Sequence, residues 1–331
     1  MKHLTFASLI LSLGCAAPLS AGVPEAVQDH ALPAVQSFAV QARALAVNAG
    51  ADCTAAAVIP SYHNVFDAWL GLAHLGFGPL ETDGRALTIA FWPDKRGMVA
   101  STVARLVADQ DAAVSDAGEF AQVSIAGRGL FALERLLFDP AYAGYGRDDY
   151  SCRLVAAIAG DLDRMAGAIA ADWSDEAAAL LSAGEEGNSR YLSEAEAAQR
   201  LYTALLAGLE FVADQRLGRP LGTFDRPRPE RAEARRSGRS LRNVTLSISA
   251  LSDLAQALST APTPVADQAF SDALDEARAL DDPIFDGVSD PSGRLRVEIL
   301  QQRVQAIRTA VSAEIGAQLG VGTGFNSADG D

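Results

Sequence analysis

Residues 150–181 read YSCRLVAAIAGDLDRMAGAIAADWSDEAAALL, and this stretch decides the fold class. It contains no proline and only two glycines, and its apolar side chains recur at helical spacing, which predicts one long helix from Tyr150 to Leu181. The composition of the whole chain points to the same fold class, since 64 of the 331 residues are alanine and only 7% are aromatic. Alanine favours close-packed helices, so the sequence predicts an all-α protein and argues against an all-β fold.

Two helical bundles of about four helices each are expected, because a chain of 331 residues exceeds the usual size of one core. The polar, glycine-bearing segment Gly184–Ser189 marks the predicted boundary. The predicted division is a signal peptide at 1–21, an N-terminal bundle at 22–185 and a C-terminal bundle at 186–331. The other helices are predicted at 24–48, 61–75, 93–110 and 119–138 in the first half, and at 194–217, 230–257, 267–280 and 292–319 in the second.

The N-terminus has the pattern of a secretory signal. Lys2 precedes an apolar run over 4–13, and small residues follow as far as Ala21, which predicts that the mature chain is exported. Cleavage there removes one basic and no acidic residue, so the net charge of −15 becomes −16. A lipid anchor at Cys15 ranks second, because Ser12 stands where such signals usually have a larger aliphatic residue. The run is too short to span a bilayer, and no later stretch approaches the roughly 20 apolar residues required.

Two cysteines remain after the signal, Cys53 and Cys152. An even pair in an exported protein predicts a disulfide, which would close a loop of about 100 residues and restrict the unfolded chain by roughly 4 to 5 kcal/mol. The alternative is two unrelated buried thiols. Zinc binding by this pair is not expected, since the sequence has no CxxC spacing.

The charge distribution is uneven. Lys and Arg total 27 against 42 Asp and Glu, which argues against nucleic acid as a partner. Nine arginines nevertheless lie between Arg216 and Arg242. We expect Arg235, Arg239 and Arg242 to share one helix face that could hold a carboxylate or phosphate. The alternative is a set of salt bridges to neighbouring acidic helices.

A second candidate site lies on the apolar segment 121–138. Glu134 is one of its few charged residues, and a buried carboxylate needs a partner. Gly127 and Gly129 would allow another helix or a ligand to approach the backbone. A ligand site is one interpretation, and a buried Glu–Arg pair that holds helices in register is the other.

A metal site is a third possibility. His63 and Asp67 are four residues apart and share a helix face, and His74 lies about three turns further along. Two histidines and a carboxylate can hold a metal ion, although hydrogen-bonded structural histidines are the alternative. The sequence has no GxSxG, HExxH or P-loop motif.

Several short motifs follow one another in a particular order along the chain. They are Trp69, Phe77-Gly78-Pro79, Phe91-Trp92-Pro93-Asp94, Gly129 with Glu134, Arg219-Pro220-Leu221-Gly222, Ser237-Gly238-Arg239-Ser240-Leu241 and the terminal GFNSADGD of 324–331. This order resembles the imelysin family, also called the M75 peptidase family. The resemblance implies an exported bacterial envelope protein, periplasmic or lipid-anchored, with two all-α bundles and a link to iron uptake. The family hallmark is GxHxxE, in which Gly129 and Glu134 match while Phe131 replaces the histidine.

The resemblance leads to a hypothesis of a non-catalytic periplasmic protein for iron or haem acquisition, with a ligand site between the bundles. Its expected partners are a small ligand or metal (iron, zinc or haem) and envelope iron-uptake components. A metallopeptidase is the alternative, and a structural envelope protein that binds a partner through its surface is a third. The predicted ligand residues are Arg128, Gly129, Phe131, Glu134 and Arg239, and the predicted metal ligands are His63, Asp67 and Glu134.

Overall fold

The computed structural model describes residues 22–142 and 144–320, and these ranges contain nine α-helices of ten or more residues. The predicted signal, the alternative anchor at Cys15 and the terminal GFNSADGD lie outside them. The helices are α1 Leu32–Ala51, α2 Ala55–Leu72, α3 Met98–Asp109, α4 Gly129–Phe138, α5 Tyr150–Leu181, α6 Glu194–Glu210, α7 Ser240–Leu258, α8 Pro264–Leu280 and α9 Pro291–Val311. The all-α prediction is confirmed, and the long helix α5 has the predicted bounds.

Helix α5 organises the first half of the chain. It packs along α1 and also against α4, and α2 packs between α1 and α4. Helix α3 joins this group through α4. The buried face of α5 carries large apolar side chains, among them Leu162, Ile169 and Trp173, while the opposite face is polar. The helix is therefore stabilised by burial of one apolar face.

The second half is built around α7 and α9. Helix α8 packs against both of them, α6 also contacts both, and a π-helical turn at Phe211–Leu217 extends α6. Helix α7 reaches across to α2 and to the π-helical turn at Ala26–Ala31. The buried residues of the two halves form one continuous apolar cluster. The division into domains at 185 and 186 stays a prediction.

Three predicted helices begin later than expected. The segment 93–110 is helical only as α3, over Met98–Asp109, because Gly97 has a left-handed φ of +67° and caps the helix there. The segment 119–138 forms the regular helix α4 only from Gly129, because Arg128 before it is extended and Gly129 has a φ of +69°. A Cβ atom at this position would lie 2.1 Å from the carbonyl oxygen of Thr88, so only glycine allows this close approach. The segment 230–257 becomes regular helix only at Ser240, since Ala234 and Gly238 both have positive φ.

The disulfide between Cys53 and Cys152 is confirmed, and their Cα atoms lie 5.1 Å apart. It joins the loop before α2 to the first turn of α5, across 99 residues of sequence. Among the described helices, none is long and apolar enough to cross a membrane.

Candidate functional site

A cavity of about 360 Å³ lies beside α4, and we call it the arginine cleft. The α4 side chains Phe131 and Glu134 form one wall, the loop before α3 forms another, and the irregular segment before α7 forms a third. The cleft contains the motif position at which phenylalanine replaces histidine. Its lining residues are Phe91, Trp92, Asp94, Gly97, Val99, Ala100, Phe131, Glu134, Arg135, Arg219, Glu230, Arg231, Ala232, Ala234, Arg235 and Arg236.

Glu134 has its carboxylate anchored by the segment before α7. Only 3% of the residue is exposed, and its Oε1 accepts hydrogen bonds from the Ser237 backbone N–H at 3.0 Å and from the Ser237 hydroxyl at 2.7 Å. Burial raises the pKa of Glu134, although these two hydrogen bonds oppose the shift. The buried carboxylate is therefore bound by a serine and not by an arginine, as the alternative of a Glu–Arg pair required; the neighbouring Arg135 pairs with Asp139.

The cleft carries an excess of positive charge. Within the described residues five arginines line it against three carboxylates, but Arg135 and Arg236 pair with Asp139 and Arg235 pairs with Asp286, which leaves Arg219 and Arg231 as the unpaired cations of the cleft. Of the lining carboxylates, Asp94 accepts the backbone N–H groups of Met98 and Val99 at 2.9 Å each. Arg219 lies over the Trp92 ring, and its Nε is buried without a hydrogen-bond partner in the described chain. Burial, together with the nearby Arg231, lowers the pKa of Arg219. An anionic group bound in the cleft would reduce the repulsion between the positive charges of Arg219 and Arg231.

A second polar cluster connects α2 to the start of α7. Arg239 is 1% exposed, and its guanidinium donates to Asp67 Oδ1 at 2.5 Å and lies 3.0 Å from His63 Nδ1. Its carbon Cζ stacks 4.7 Å from the centre of the Phe66 ring. The Nε of Arg242 also donates a hydrogen bond to Asp67 Oδ1, at a distance of 2.9 Å. The two arginines lower the pKa of Asp67, against the effect of burial.

These contacts bear on the predicted metal ligands His63, Asp67 and Glu134. The imidazole faces Arg239, the Asp67 carboxylate is held by two guanidinium groups, and Glu134 binds Ser237. Within residues 22–142 and 144–320, no three His, Cys, Asp or Glu side chains are grouped so that they could hold a metal ion. These three residues do not fit a metal centre, because guanidinium groups hold His63 and Asp67 and a serine holds Glu134.

Arg128 and Arg239 are predicted ligand residues that the structure places in internal ion pairs. Arg128 donates to both oxygens of the buried Asp161, at 2.8 and 3.1 Å, and does not line the arginine cleft. Arg235 lies in a turn before α7 and Arg239 caps the N-terminus of α7, so Arg235, Arg239 and Arg242 do not share one helix face as expected. Of the predicted ligand residues, Phe131 and Glu134 line the cleft, while Gly129 lies outside its lining and packs against the Thr88 backbone.

The sequence did not predict that His74 pairs with His30. His74 follows the end of α2, and its Nε2 lies 2.8 Å from the Nε2 of His30 rather than near His63. Burial lowers the pKa of His30 to about 4, and burial with the neighbouring His30 and Arg216 lowers the pKa of His74 as well. No local sequence pattern indicates this contact, since the two residues are 44 positions apart.

Comparison with known proteins agrees with this architecture. The family model described as Imelysin, peptidase M75, matches residues 31–311, so the chain belongs to the imelysin family. No curated protein matches the chain.

Two solved structures share the fold. An imelysin-like protein from Psychrobacter arcticum 273-4 is 19% identical with a TM-score of 0.73, over 92% of this chain and 96% of that one. A protein from Parabacteroides distasonis ATCC 8503, described as an iron-regulated protein A precursor, is 15% identical with a TM-score of 0.63. This match covers 90% of the present chain and 94% of the other.

Proposed function

We propose that this member of the imelysin family is an exported, non-catalytic binding protein that holds an anionic iron ligand in the arginine cleft. The observation that carries the proposal is the cationic lining of the cleft in a chain whose net charge is −15. Anions are attracted to such a concave cluster of guanidinium groups, whereas a bare metal cation is repelled.

Arg219 and Arg231 are the residues that would bind the anion. Neither is tied to a carboxylate of the cleft, and the Nε of Arg219 has no partner in the described chain. Glu134 faces the same cavity, and its Oε1 accepts both hydrogen bonds from Ser237. Phe131 and Trp92 supply the apolar contacts.

The link to iron rests on the family and on the name of one structural relative, the iron-regulated protein A precursor of Parabacteroides distasonis. A ferric carboxylate chelate is the favoured ligand, because a cavity of about 360 Å³ lies at the small end of the range for ligand pockets and suits a small anion better than haem. Export rests on the N-terminal signal pattern and agrees with the disulfide.

The test is calorimetric titration of the mature protein with ferric citrate, citrate, haem and unchelated Fe³⁺ or Zn²⁺. We expect ferric citrate to bind, and Arg219→Gln and Arg231→Gln each to weaken it by about tenfold or more, since each removes a charge-assisted hydrogen bond. Arg278→Gln, on the exposed surface of α8 and outside the cleft lining, is the matched control.

Three results would overturn the proposal. The first is the absence of ferric citrate binding, and the second is an affinity unchanged in both cleft variants. The third is a chelator-sensitive cleavage of casein that is lost in His63→Ala, which would restore the metallopeptidase alternative.

A further inference from the structure

A second cavity, of about 530 Å³, lies on the other side of Trp92, and we call it the tryptophan cavity. It is enclosed by the end of α2, the short helix Arg85–Ile89, and the facing sides of α6 and α7. Most of its walls are apolar, with four aromatic rings. Its main lining residues are Trp69, Phe77, Leu87, Trp92, Phe211 and Leu251.

The polar groups at the inner end of the cavity already have partners. Arg216 donates to Glu233 at 2.6 Å, and His74 is paired with His30. Gly208 brings α6 close to its neighbours here, because a Cβ atom would lie 2.5 Å from Leu251 Cδ2. The inner end therefore offers mainly apolar contacts to a ligand.

The mouth of the cavity differs, because it presents the cation of Arg200. The Arg200 side chain is 40% exposed, and its guanidinium carbon lies 4.7 Å from the centre of the Phe77 ring. Its carboxylate neighbour among the described residues, Glu81, is 3.7 Å away and 64% exposed, and such a surface pair contributes little. Leu87, 51% exposed, and Ala207 add apolar surface around Arg200.

We propose that the tryptophan cavity binds an amphipathic carboxylate, whose apolar body contacts Trp69, Trp92 and Phe211 and whose carboxylate pairs with Arg200. A long hydrophilic anion does not suit it, since the walls are apolar and one cation stands at the entrance. This site is separate from the arginine cleft, which has five arginines and a smaller volume. It would give the protein a second ligand with different chemistry.

The probes are decanoate and 2-naphthoate, each compared with its uncharged counterpart, decan-1-ol and 2-naphthol. Trp69 and Trp92 line the cavity, so intrinsic tryptophan fluorescence reports occupancy, and calorimetry gives the affinity. We expect one or both carboxylates to bind. Binding of decanoate alone identifies an aliphatic ligand, and binding of 2-naphthoate alone identifies an aromatic one.

Two variants locate the site. Arg200→Gln should weaken the carboxylate by about tenfold or more and leave the alcohol unchanged. Ala207→Phe, at an exposed helical position, should block the mouth and abolish binding of both. Arg43→Gln, whose side chain is exposed and paired with Asp163, is the control that should change neither affinity.

The proposal is overturned if neither carboxylate binds at about 1 mM, if Arg200→Gln leaves the carboxylate affinity unchanged, or if Ala207→Phe binds as tightly as the parent. Circular dichroism of each variant establishes that the helices are intact. Because Arg200 and Ala207 do not line the arginine cleft, failure here leaves the ferric citrate test unaffected.

Discussion

Acid should destabilise this protein through the buried pair of His30 and His74. Burial lowers the pKa of His30 to about 4, whereas an unfolded histidine titrates near 6.5. The unfolded chain therefore takes up the proton first, so the free energy of unfolding falls as the pH drops from about 6.5 to about 4. For His30 alone the loss is about 2 kcal/mol at pH 5 and about 3 kcal/mol at pH 4. The pKa of His74 is lowered in the same direction and adds to the loss.

The assay is guanidinium unfolding at a series of pH values between 7.5 and 4, followed by circular dichroism. The matched variant is His30→Gln, whose amide can still donate a hydrogen bond to His74 but does not titrate. Surface carboxylates also titrate in this range, so the difference between the two proteins reports the titration of His30 together with its effect on His74. The variant should lose about 3 kcal/mol less than the parent between pH 7.5 and 4. Equal losses in the two proteins would refute the reasoning.

Three further stability predictions follow from the fold. Replacing Cys53 and Cys152 together by alanine should cost about 2 to 5 kcal/mol and lower the Tm, and an unchanged Tm would contradict a structural role for the disulfide. Arg128→Leu should cost about 3 to 5 kcal/mol in chemical unfolding, because it leaves the buried Asp161 without its bidentate partner, and a cost below about 1 kcal/mol would contradict this. Gly129→Ala should prevent normal folding, since its Cβ would overlap a carbonyl oxygen, and a native circular dichroism spectrum with an unchanged Tm would show that the loop can adapt.

The regular helices were predictable because their signal is local. Helix α5 has an uninterrupted apolar periodicity over Tyr150–Leu181, and the structure has the same bounds. The disulfide between Cys53 and Cys152 was also predictable, since the sequence contains no other cysteine after the signal. The helix start at Gly129 was not predicted, because its left-handed φ serves a close contact with Thr88 that sequence periodicity does not record.

The candidate site was predictable only in part. Glu134 was recognised as a buried carboxylate, but its partner Ser237 lies 103 residues away, and distant pairs leave no local pattern. The arginine-rich segment was recognised by its charge, yet Arg239 is used to hold Asp67, while Arg219 lines the cleft. Which arginine faces a cavity depends on how the chain turns between 218 and 240, and the positive φ of Ala234 in that turn is not evident from the sequence.

The central claim is that the arginine cleft binds an anion through Arg231 and Arg219, and one measurement tests it most directly. Arg231 is exposed, so Arg231→Glu reverses a charge in the cleft without disturbing the core. Titration of ferric citrate into this variant should show binding weakened by at least about a hundredfold relative to the parent protein, since an attraction becomes a repulsion. An unchanged affinity for ferric citrate would contradict the account.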